Sequence, residues 1–284
     1  MLTLPELKST LNKYGITPKK FLGQNFLVDS DVVEDIMTVC RFTNIDWVME
    51  IGAGLGALTN RLARDVKRVL AIEKDRSVCL ALNDIMKGFS NVRIVCDDFL
   101  EMDLESALVE APFKVKAIGN LPYYITTPII ERLIENRNNF ESVFIMVQKE
   151  VADRICAKPG GKDYGSLSVY AQFYTKPSIL LDINRHSFYP KPEVDSTFLE
   201  LSLLAKPSVQ VKDQSKFFAV VKAGFGQRRK TLLNSLLSGG EITLDKPGLA
   251  ALLESIGIDP GIRAERLTLQ QFATIADALW PADV

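Results

Sequence analysis

The stretch Val48 to Thr59, VMEIGAGLGALT, is an apolar run that meets three alternating glycines and continues into an amphipathic segment. This order predicts a β-strand, a tight turn and an α-helix, because glycine tolerates positive φ and leaves room for a ligand beside the backbone. Gly52, Gly54 and Ala57 also satisfy the relaxed glycine pattern of dinucleotide-binding turns, and Gly56 lies among them. The stretch therefore predicts a nucleotide-type site where the first strand of a sheet ends.

Short apolar runs alternate with helical patterns around this turn. The strand-like runs are DWVMEIG, RVLAIEKD, VRIVCDD, KVKAIGN and SVFIMVQ, and the segments between them include GALTNRLARD, SVCLALNDIMKG and TPIIERLIENR. Such alternation is typical of an α/β fold, in which helices cover both faces of a doubly wound, mostly parallel sheet. Two more strand-like runs, SLSVYAQFYTKPSILLDI and STFLELSLL, complete the predicted domain near residue 205.

The pattern changes in the C-terminal quarter of the chain. SKFFAVVKAGFGQRRKTLLNSLLSGG, LAALLESIGI and TLQQFATIADALW have helical spacing, and we find no strand-like run beyond about residue 211. We therefore expect two domains, residues 1–208 and 209–284, of which the second is small and all-helical.

Acidic residues follow the predicted strands where a nucleoside would bind. Glu73 lies 21 residues after Gly52, where a carboxylate can accept both hydroxyls of a ribose. Asp98, or its neighbour Asp97, is placed to accept the amine of an adenine. Glu50 would repel a pyrophosphate at the helix N-terminus, whereas it suits a ligand with a sulfonium and an ammonium. The charges favour S-adenosylmethionine, with NAD as the alternative.

The motif NLPYY, residues 120–124, ends the fourth predicted strand at the topological switch point, where ligands bind. The side-chain oxygen of Asn120 and the carbonyl of Leu121 are suited to accept hydrogen bonds from the exocyclic amine of a base. Such bonds favour a localised lone pair on the nitrogen. Pro122 would fix the turn and Tyr123 would stack on the base. A polar turn with core tyrosines is the alternative interpretation.

Eight motifs carry a resemblance to a known family. They are KKFLGQNFLVD, EIGAGLGALT, AIEKD, GNLPYYITTP, MVQKEVADRI, YGSLSVYAQFY, FYPKPEVDS and AGFGQRRKTLLNSL, in this order. On these motifs the chain resembles the ribosomal RNA adenine N6,N6-dimethyltransferases, specifically the bacterial enzymes that modify two adjacent adenosines near the 3′ end of 16S rRNA. The resemblance covers nearly the whole chain. It implies a Rossmann-like class I methyltransferase domain followed by a helical rRNA-binding domain.

The resemblance also implies two sets of site residues. S-adenosylmethionine would be bound by Asn25, Leu27, Glu50, Gly52, Gly54, Glu73, Lys74, Asp98, Phe99 and Asn120. The target adenine would be handled by Asn120, Leu121, Pro122 and Tyr123, with Phe188 as a second stacking face. Because Asp97 and Asp98 are adjacent, as are Tyr123 and Tyr124, each of these two roles has a one-residue ambiguity.

Positive charge is concentrated near the start of the predicted helical domain. The segment from Gln214 to Ser238 has five basic residues and no acidic one, a local charge of +5. A basic patch on a chain of net charge −1 favours a polyanionic partner at one face. The predicted RNA-binding residues are Lys222, Arg228, Arg229 and Lys230. The expected partner is 16S rRNA within an immature 30S subunit.

Other features exclude classes of function. His186 is the only histidine, so we expect neither a zinc site nor a histidine-based triad. The four cysteines are scattered singly and are expected to be reduced, packed thiols without a metal. No apolar run approaches the ~18 residues of a membrane span, and the N-terminus lacks a signal-peptide pattern. We expect a cytoplasmic monomer.

Three alternative functions differ from this expectation. One is a relative within the family that methylates large-subunit rRNA and confers macrolide resistance; the extended C-terminal region and FGQRRKTLLNSL argue against it. The second is a non-enzymatic factor that binds the immature subunit and times its release. The third is an NAD-dependent oxidoreductase, which would need a base that the single histidine does not readily supply.

Overall fold

The computed structural model of the chain describes residues 1–18, 24–227, 229–240 and 242–280, and the side chain of Tyr123 lies outside this description. The chain divides into two compact units. The first comprises residues 1–152 and 177–203, and the second comprises residues 153–176 and the chain from residue 204 onward. The division differs from the expected boundary between residues 208 and 209, because residues 153–176 group with the C-terminal helices.

The first unit alternates strands and helices as predicted. Its elements are α1 (Leu4–Lys13), β1 (Phe26–Leu27), α2 (Ser30–Cys40), β2 (Trp47–Ile51), α3 (Ala57–Asp65), β3 (Arg68–Glu73), α4 (Arg76–Met86), β4 (Val92–Cys96), α5 (Leu104–Leu108), β5 (Val115–Asn120), α6 (Thr126–Glu135), β6 (Phe140–Gln148), α7 (Lys149–Cys156), which continues into the second unit, β7 (Thr175–Ile183), β8 (Phe188–Tyr189) and β9 (Ser196–Leu203). Helices of the second unit are α8 (Ser166–Tyr174), α9 (Gln214–Phe225), α10 (Leu232–Ser238), α11 (Lys246–Ser255) and α12 (Leu269–Leu279).

A seven-stranded sheet is the framework of the first unit, with the order β4-β3-β2-β5-β6-β9-β7. The pairs from β4 through β6 are parallel, and β9 runs antiparallel to β6. The chain moves outward from β2 to β4 and then returns to place β5 on the other side of β2, which creates the topological switch point. The predicted doubly wound, mostly parallel sheet is confirmed. The five strand-like runs from DWVMEIG to SVFIMVQ form β2 to β6.

Strand burial explains why these runs are almost wholly apolar. Val48, Val69, Ile118 and Phe144, one from each central strand, belong to one buried cluster with helix side chains. Parallel strands covered by helices on both faces need apolar residues at successive positions, not only at alternate ones. Each fully buried side chain of this kind contributes about 1.5–3 kcal/mol relative to an exposed one.

Aspartates begin several of the helices. Asp29, Asp75, Asp103 and Asp213 precede α2, α4, α5 and α9, and each carboxylate accepts hydrogen bonds from two backbone N–H groups of the first turn. These donors have no partner within the helix, so each cap stabilises its helix by about 1 kcal/mol. The caps define where each strand-to-helix loop ends.

The run SLSVYAQFYTKPSILLDI is not a single strand. Its first half forms α8, and only the part from Thr175 onward forms β7. Ser168 Oγ accepts a hydrogen bond from the Gly165 N–H and donates to the Arg154 carbonyl, which fixes the start of α8. Phe173 then stacks on Phe217 of α9 with ring centroids 4.7 Å apart. These contacts within the second unit override the strand tendency of the β-branched and aromatic residues.

The expectation of four reduced thiols is wrong for one pair of cysteines. Cys79 in α4 and Cys96 at the end of β4 form a disulfide, with Cα atoms 5.9 Å apart. Helix α4 connects β3 to β4 and packs back on both strands, which brings together residues separated by 17 positions. Cys40 and Cys156 are free cysteines.

The second unit, where described, has only helices and turns after β9, as the sequence predicts. Leu232, Leu249 and Phe272 are buried, each from a different helix. Throughout the described residues, no helix is long and apolar enough to cross a bilayer. The described part of the chain also contains no cluster of three or more His, Cys, Asp or Glu side chains that could hold a metal ion.

Replacing Gly119 with alanine should destabilise the fold. A Cβ at this position of β5 would lie 2.8 Å from the Ile51 carbonyl oxygen, which belongs to the sheet backbone and cannot move alone. We expect the free energy of unfolding to fall by about 1–3 kcal/mol, measured by urea denaturation. Gly88→Ala is the control, because nothing lies within 4 Å of its added Cβ. Equal stability of the two variants would contradict this account of the β2–β5 contact.

Candidate active site

A cavity of about 540 Å³ lies at the carboxyl ends of β2, β3, β4 and β5 in the first unit. The predicted site residues that line it are Asn25, Gly52, Gly54, Glu73, Lys74, Asp98, Phe99, Asn120 and Pro122. A smaller adjoining cavity of about 50 Å³ shares several of these residues and adds Leu27 and Glu50. Residues from five separate sequence motifs thus meet at one edge of the sheet.

The glycine turn forms the floor of the cavity. Gly52, Gly54 and Gly56 all have positive φ, between 56° and 80°. A Cβ on Gly52 would lie 3.5 Å from the carbonyl oxygen of Asn120, in the space between the ends of β2 and β5. The N–H groups of Gly52 and Ala53 both donate to the Ile72 carbonyl, which ties the turn to β3. The turn therefore keeps its conformation and leaves open the side that faces the cavity.

The Glu73 carboxylate is held by the backbone at the end of β3. One oxygen accepts a hydrogen bond from the Gly54 N–H and the other from the Asp75 N–H, each 2.9 Å long. Burial raises the pKa of Glu73 above its ordinary value, although these two hydrogen bonds oppose the rise. Each oxygen retains a lone pair for a further donor. This arrangement suits the predicted role of accepting ribose hydroxyls.

Asp98 and Lys74 form an ion pair beside Glu73. The Lys74 ammonium donates to one oxygen of Asp98, and the Leu100 N–H donates to the other at 2.9 Å. Burial raises the pKa of Asp98, but these partners outweigh it and hold the pKa below its ordinary value. Asp97 also lines the cavity and is more exposed, so both candidates for the adenine contact are at the site. The ring of Phe99 is buried and lines the same wall.

Asn120 lies at the end of β5 with its amide oriented by a long-range contact. Its Nδ2 donates to the carbonyl of Asn25 at 3.0 Å, which leaves Oδ1 as the side chain's acceptor. Leu121 has a buried side chain, and its N–H donates to the Met146 carbonyl at 3.0 Å. Pro122 follows with an extended backbone and lines the cavity. The predicted stacking side chain of Tyr123 is outside the described residues, whereas the neighbouring Tyr124 is exposed and lines the cavity.

Phe188 does not contribute an exposed stacking face. Its side chain is only 4% exposed and belongs to the hydrophobic core, and neither cavity includes it among its lining residues. The short strand β8 pairs with β1 so that Phe188 faces Leu27 in the register. The Phe188 side chain therefore packs in the hydrophobic core of the first unit. It is not available as the second stacking face that the resemblance implies.

Several residues that sequence reasoning did not assign to the site also line the cavity: Gln24, Phe26, Asp75, Arg76, Ser77, Ile125 and Ile129. Gln24 and Phe26 lie in the motif FLGQNFL, and Asp75 to Ser77 follow AIEK, so their nearness to recognised motifs was the available signal. Ile125 lies in the motif GNLPYYITTP and had the same signal. Ile129 of α6 had none, because an apolar residue in a helix is indistinguishable in sequence from a core residue.

The predicted RNA-binding residues belong to the second unit. Lys222 is exposed in α9, and Arg229 and Lys230 are exposed in the turn that follows it. Arg228 lies outside the described residues. The exposed members therefore offer positive charge to solvent in one short part of the chain.

Comparisons with known proteins identify the family of this chain. The family model described as ribosomal RNA adenine dimethylase matches residues 15–280. The chain belongs to this family. Its class I fold and its membership make it an S-adenosylmethionine-dependent rRNA adenine dimethyltransferase. The NAD-dependent oxidoreductase is therefore excluded.

Two curated relatives illustrate the similarity of this dimethyltransferase to other members. The Ribosomal RNA small subunit methyltransferase A of Geobacillus thermodenitrificans is 42% identical over 281 residues, covering 96% of this chain and 95% of the relative. The protein of the same name from Pelotomaculum thermopropionicum is 44% identical over 287 residues, covering 97% and 96%. The similarity thus extends over both units.

Solved structures share the fold at lower identity. A dimethyladenosine transferase from Plasmodium falciparum has a TM-score of 0.71 and 24% identity, covering 87% of this chain and 94% of its own. The 23S rRNA methyltransferase ErmE has a TM-score of 0.69 and 24% identity, covering 90% and 99%. The sheet and its surrounding helices are thus shared with enzymes that diverge in sequence.

Glu50 should give the protein a distinctive pH dependence of stability. It is 2% exposed, and burial raises its pKa from 4.5 to about 8, although the Thr59 hydroxyl donates to it at 2.6 Å. Below pH 4.5 the carboxyl is protonated in both states. As the pH rises towards 8, the unfolded chain releases the proton while the folded protein retains it, so stability falls.

Comparison of wild type with Glu50→Gln isolates this effect. The stability of the wild type relative to the variant should decrease between pH 4.5 and about 8 and change little above that range. Urea denaturation at a series of pH values measures it. Glu141→Gln, at an exposed position of β6, is the control. A constant difference between wild type and Glu50→Gln over this range would show that Glu50 does not titrate as described.

Proposed function

We propose that this dimethyltransferase modifies N6 of two adjacent adenosines near the 3′ end of 16S rRNA, within an immature 30S subunit. The observation that carries the proposal is the Asn120 amide at the rim of the acidic cavity, with Nδ2 engaged by Asn25 and Oδ1 left as an acceptor. Curated relatives that are more than 40% identical carry the name small subunit methyltransferase, which supports this substrate over large-subunit rRNA.

The residues of the cavity fit S-adenosylmethionine. Gly52 has a positive φ that favours glycine and presents bare backbone to the cavity, and Glu73 has two oriented carboxylate oxygens. The lining contains Glu73, Asp75, Asp97 and Asp98 against Lys74 and Arg76, so its balance is negative. When bound, the donor supplies a methyl group activated by a positively charged sulfur. An acidic wall stabilises that charge, whereas it would repel the pyrophosphate of a dinucleotide.

Three groups handle the target adenine in the proposed mechanism. The amine nitrogen is a weak nucleophile because its lone pair is delocalised into the ring. The Asn120 oxygen and the Leu121 carbonyl accept its N–H protons, which favours a localised lone pair aimed at the methyl group. Tyr123 stacks on the base, a contact worth about 1–3 kcal/mol. No strong base is needed, because the proton leaves after transfer, and most of the rate enhancement comes from positioning.

Access to the cavity requires an extruded base. A paired and stacked adenine cannot reach a cleft between strand ends, so the target must be unstacked at a cost of a few kcal/mol, and less within a loop. The asparagine amide is neutral. It therefore orients the amine without clamping it by charge, and this lets a monomethylated amine rotate for a second transfer.

The wider setting follows from the proposed substrate. A 30S assembly intermediate is found in the cytoplasm, and we propose that the chain acts there as a monomer without a metal. Binding to an immature subunit also gives a second candidate role, in which the protein times release of that subunit. The exposed basic residues of the second unit support this additional role, because positive charge attracts rRNA phosphates whether or not methyl transfer occurs.

Methyl transfer onto defined particles tests the substrate. With a radiolabelled donor, the protein should label 30S particles from cells that lack the modification, at N6 of adenosine near the 3′ end. Mature 30S particles, naked 16S rRNA and 50S particles should accept little label. Labelling of 50S particles instead would assign the protein to the large-subunit branch.

The variant Asn120→Ala tests the mechanism in the same assay. Loss of one oriented hydrogen-bonding group at a reacting centre costs about 10²–10³-fold in rate, whereas donor affinity, measured by calorimetry, should change only a few-fold. The control is Asn136→Ala, which removes an amide that donates to the Arg132 carbonyl at the end of α6, away from the cavity. Wild-type transfer by Asn120→Ala would refute the assignment.

Neutralising basic residues of the second unit should weaken particle binding. The double variant Arg229→Gln/Lys230→Gln should bind 30S particles less tightly, and the dependence of log affinity on log salt should become shallower by about one for each phosphate that is no longer neutralised. Titration of binding at several salt concentrations measures both. Lys206→Gln, an exposed lysine elsewhere in the second unit, is the control. Unchanged binding by the double variant would remove these residues from the rRNA interface.

A further inference from the structure

A two-stranded ribbon in the first unit connects two motifs that are far apart in sequence. Strand β1 pairs with β8 in antiparallel orientation, with Phe26 opposite Tyr189 and Leu27 opposite Phe188. Each strand has only two residues. A ribbon of this length has too few backbone hydrogen bonds to keep its position unaided.

Asp29 and Ser187 fasten the end of this ribbon, and we refer to them as the Asp29–Ser187 clasp. The Ser187 hydroxyl donates to Asp29 Oδ2 at 2.8 Å, and the Val28 N–H donates to the Ser187 carbonyl at 2.9 Å. Ser187 is 6% exposed, so water has little access to compete for its hydroxyl. The clasp therefore holds β8 against β1 through a side chain as well as the backbone.

The same carboxylate also anchors the ribbon to a helix. Asp29 Oδ1 accepts hydrogen bonds from the N–H groups of Asp31 and Val32, at 3.1 and 3.4 Å, and so caps α2. Helix α2 contributes buried residues such as Val33 and Ile36 to the hydrophobic core. One carboxylate thus fixes the ribbon, through its two oxygens, relative to both β8 and the core.

The other end of the ribbon lies beside Asn120, the residue proposed to hold the target amine. Asn25 immediately precedes β1, and its carbonyl accepts the 3.0 Å hydrogen bond from Asn120 Nδ2. A displacement of β1 would move this carbonyl. Because the carbonyl holds the amide nitrogen, the Asn120 side chain would rotate and its Oδ1 would turn away from the cavity.

We infer that Asp29 and Ser187 are positioning residues, which act through β1 and the Asn25 carbonyl to orient the Asn120 amide and so promote the second methyl transfer. The inference rests on the proposed role of Asn120. It does not require either residue to contact the donor or the adenine.

The second transfer should depend on this orientation more than the first. An unmethylated amine has two N–H groups, which can engage the Asn120 oxygen and the Leu121 carbonyl together. After the first transfer only one N–H remains, so a single hydrogen bond must align the nitrogen. A rotated amide then leaves the monomethylated amine poorly held, and it dissociates or reacts slowly.

The variant Ser187→Ala tests the inference through the product ratio. Methylated rRNA is digested to nucleosides, and monomethyladenosine and dimethyladenosine are quantified by mass spectrometry over time. We expect the second-transfer rate to fall about tenfold relative to the first, with accumulation of monomethyladenosine. The ratio of the two rate constants, obtained by fitting the whole time course, is independent of how much of the variant is folded, so a loss of stability alone would not change it.

Three further measurements accompany the product ratio. Ser187→Thr retains the hydroxyl and should restore the wild-type ratio. Ser106→Ala is the matched control: its hydroxyl donates to Asp103, an N-cap carboxylate like Asp29, but the contact lies within one helix start. Donor affinity of Ser187→Ala should change far less than the second-transfer rate. Asn25 and Leu27 are the predicted donor contacts at β1, whereas Glu73 and Asp98 are held by other strands.

The outcomes separate this inference from the proposed function. If Ser187→Ala gives the wild-type product ratio while Asn120→Ala loses transfer, the clasp has no positioning role but Asn120 keeps its own. If Asn120→Ala transfers normally, the proposed role of Asn120 is wrong, and the inference that depends on it is overturned as well. If Ser187→Ala and Ser106→Ala shift the ratio equally, the effect is a general one of serine removal and the inference is overturned.

Discussion

The site depends on the parallel pairing of β2 with β5 at the switch point of the sheet. Ile51 lies opposite Gly119 in the register, so the glycine turn that follows β2 and the asparagine that ends β5 emerge side by side. Glycine at position 119 is required by this contact, since a Cβ there would meet the Ile51 carbonyl at 2.8 Å. A bulkier residue would separate the strand ends, and with them the two halves of the site.

Hydrogen bonds, most of them to the backbone, fix the orientation of the polar side chains that line the cavity. Glu73 is held by two N–H groups, Asp98 by an N–H and the Lys74 ammonium, and the Asn120 amide by the Asn25 carbonyl. Such groups do not need to reorganise when a ligand arrives, so their interactions with it are stronger than those of mobile side chains. Glu50 differs, because burial favours its protonated form near neutral pH. A nearby cation would favour the charged form.

Local sequence patterns predicted the secondary structure correctly where that structure depends on neighbouring residues. The apolar runs of β2 to β6 could be predicted, because the apolar pattern of a buried strand lies within a few neighbouring residues. The run SLSVYAQFY was assigned to a strand because its aromatic residues and Val169 favour one. That local preference is weak, and packing of Phe173 on Phe217 decides in favour of a helix. The disulfide between Cys79 and Cys96 could not be predicted from spacing alone, since it depends on how α4 packs back on β4.

The sequence by itself determined the α/β fold, the helical character of the C-terminal region, the family and the motifs that supply the site residues. These properties follow from apolar periodicity, glycine positions and short motifs, which are all local. Only the tertiary structure decided that Phe188 is buried, that residues 153–176 group with the C-terminal helices and that Asn120 is oriented by Asn25. These outcomes depend on contacts between residues far apart in the chain, such as Asn25 with Asn120, 95 positions apart, and Leu27 with Phe188. No local pattern encodes such contacts.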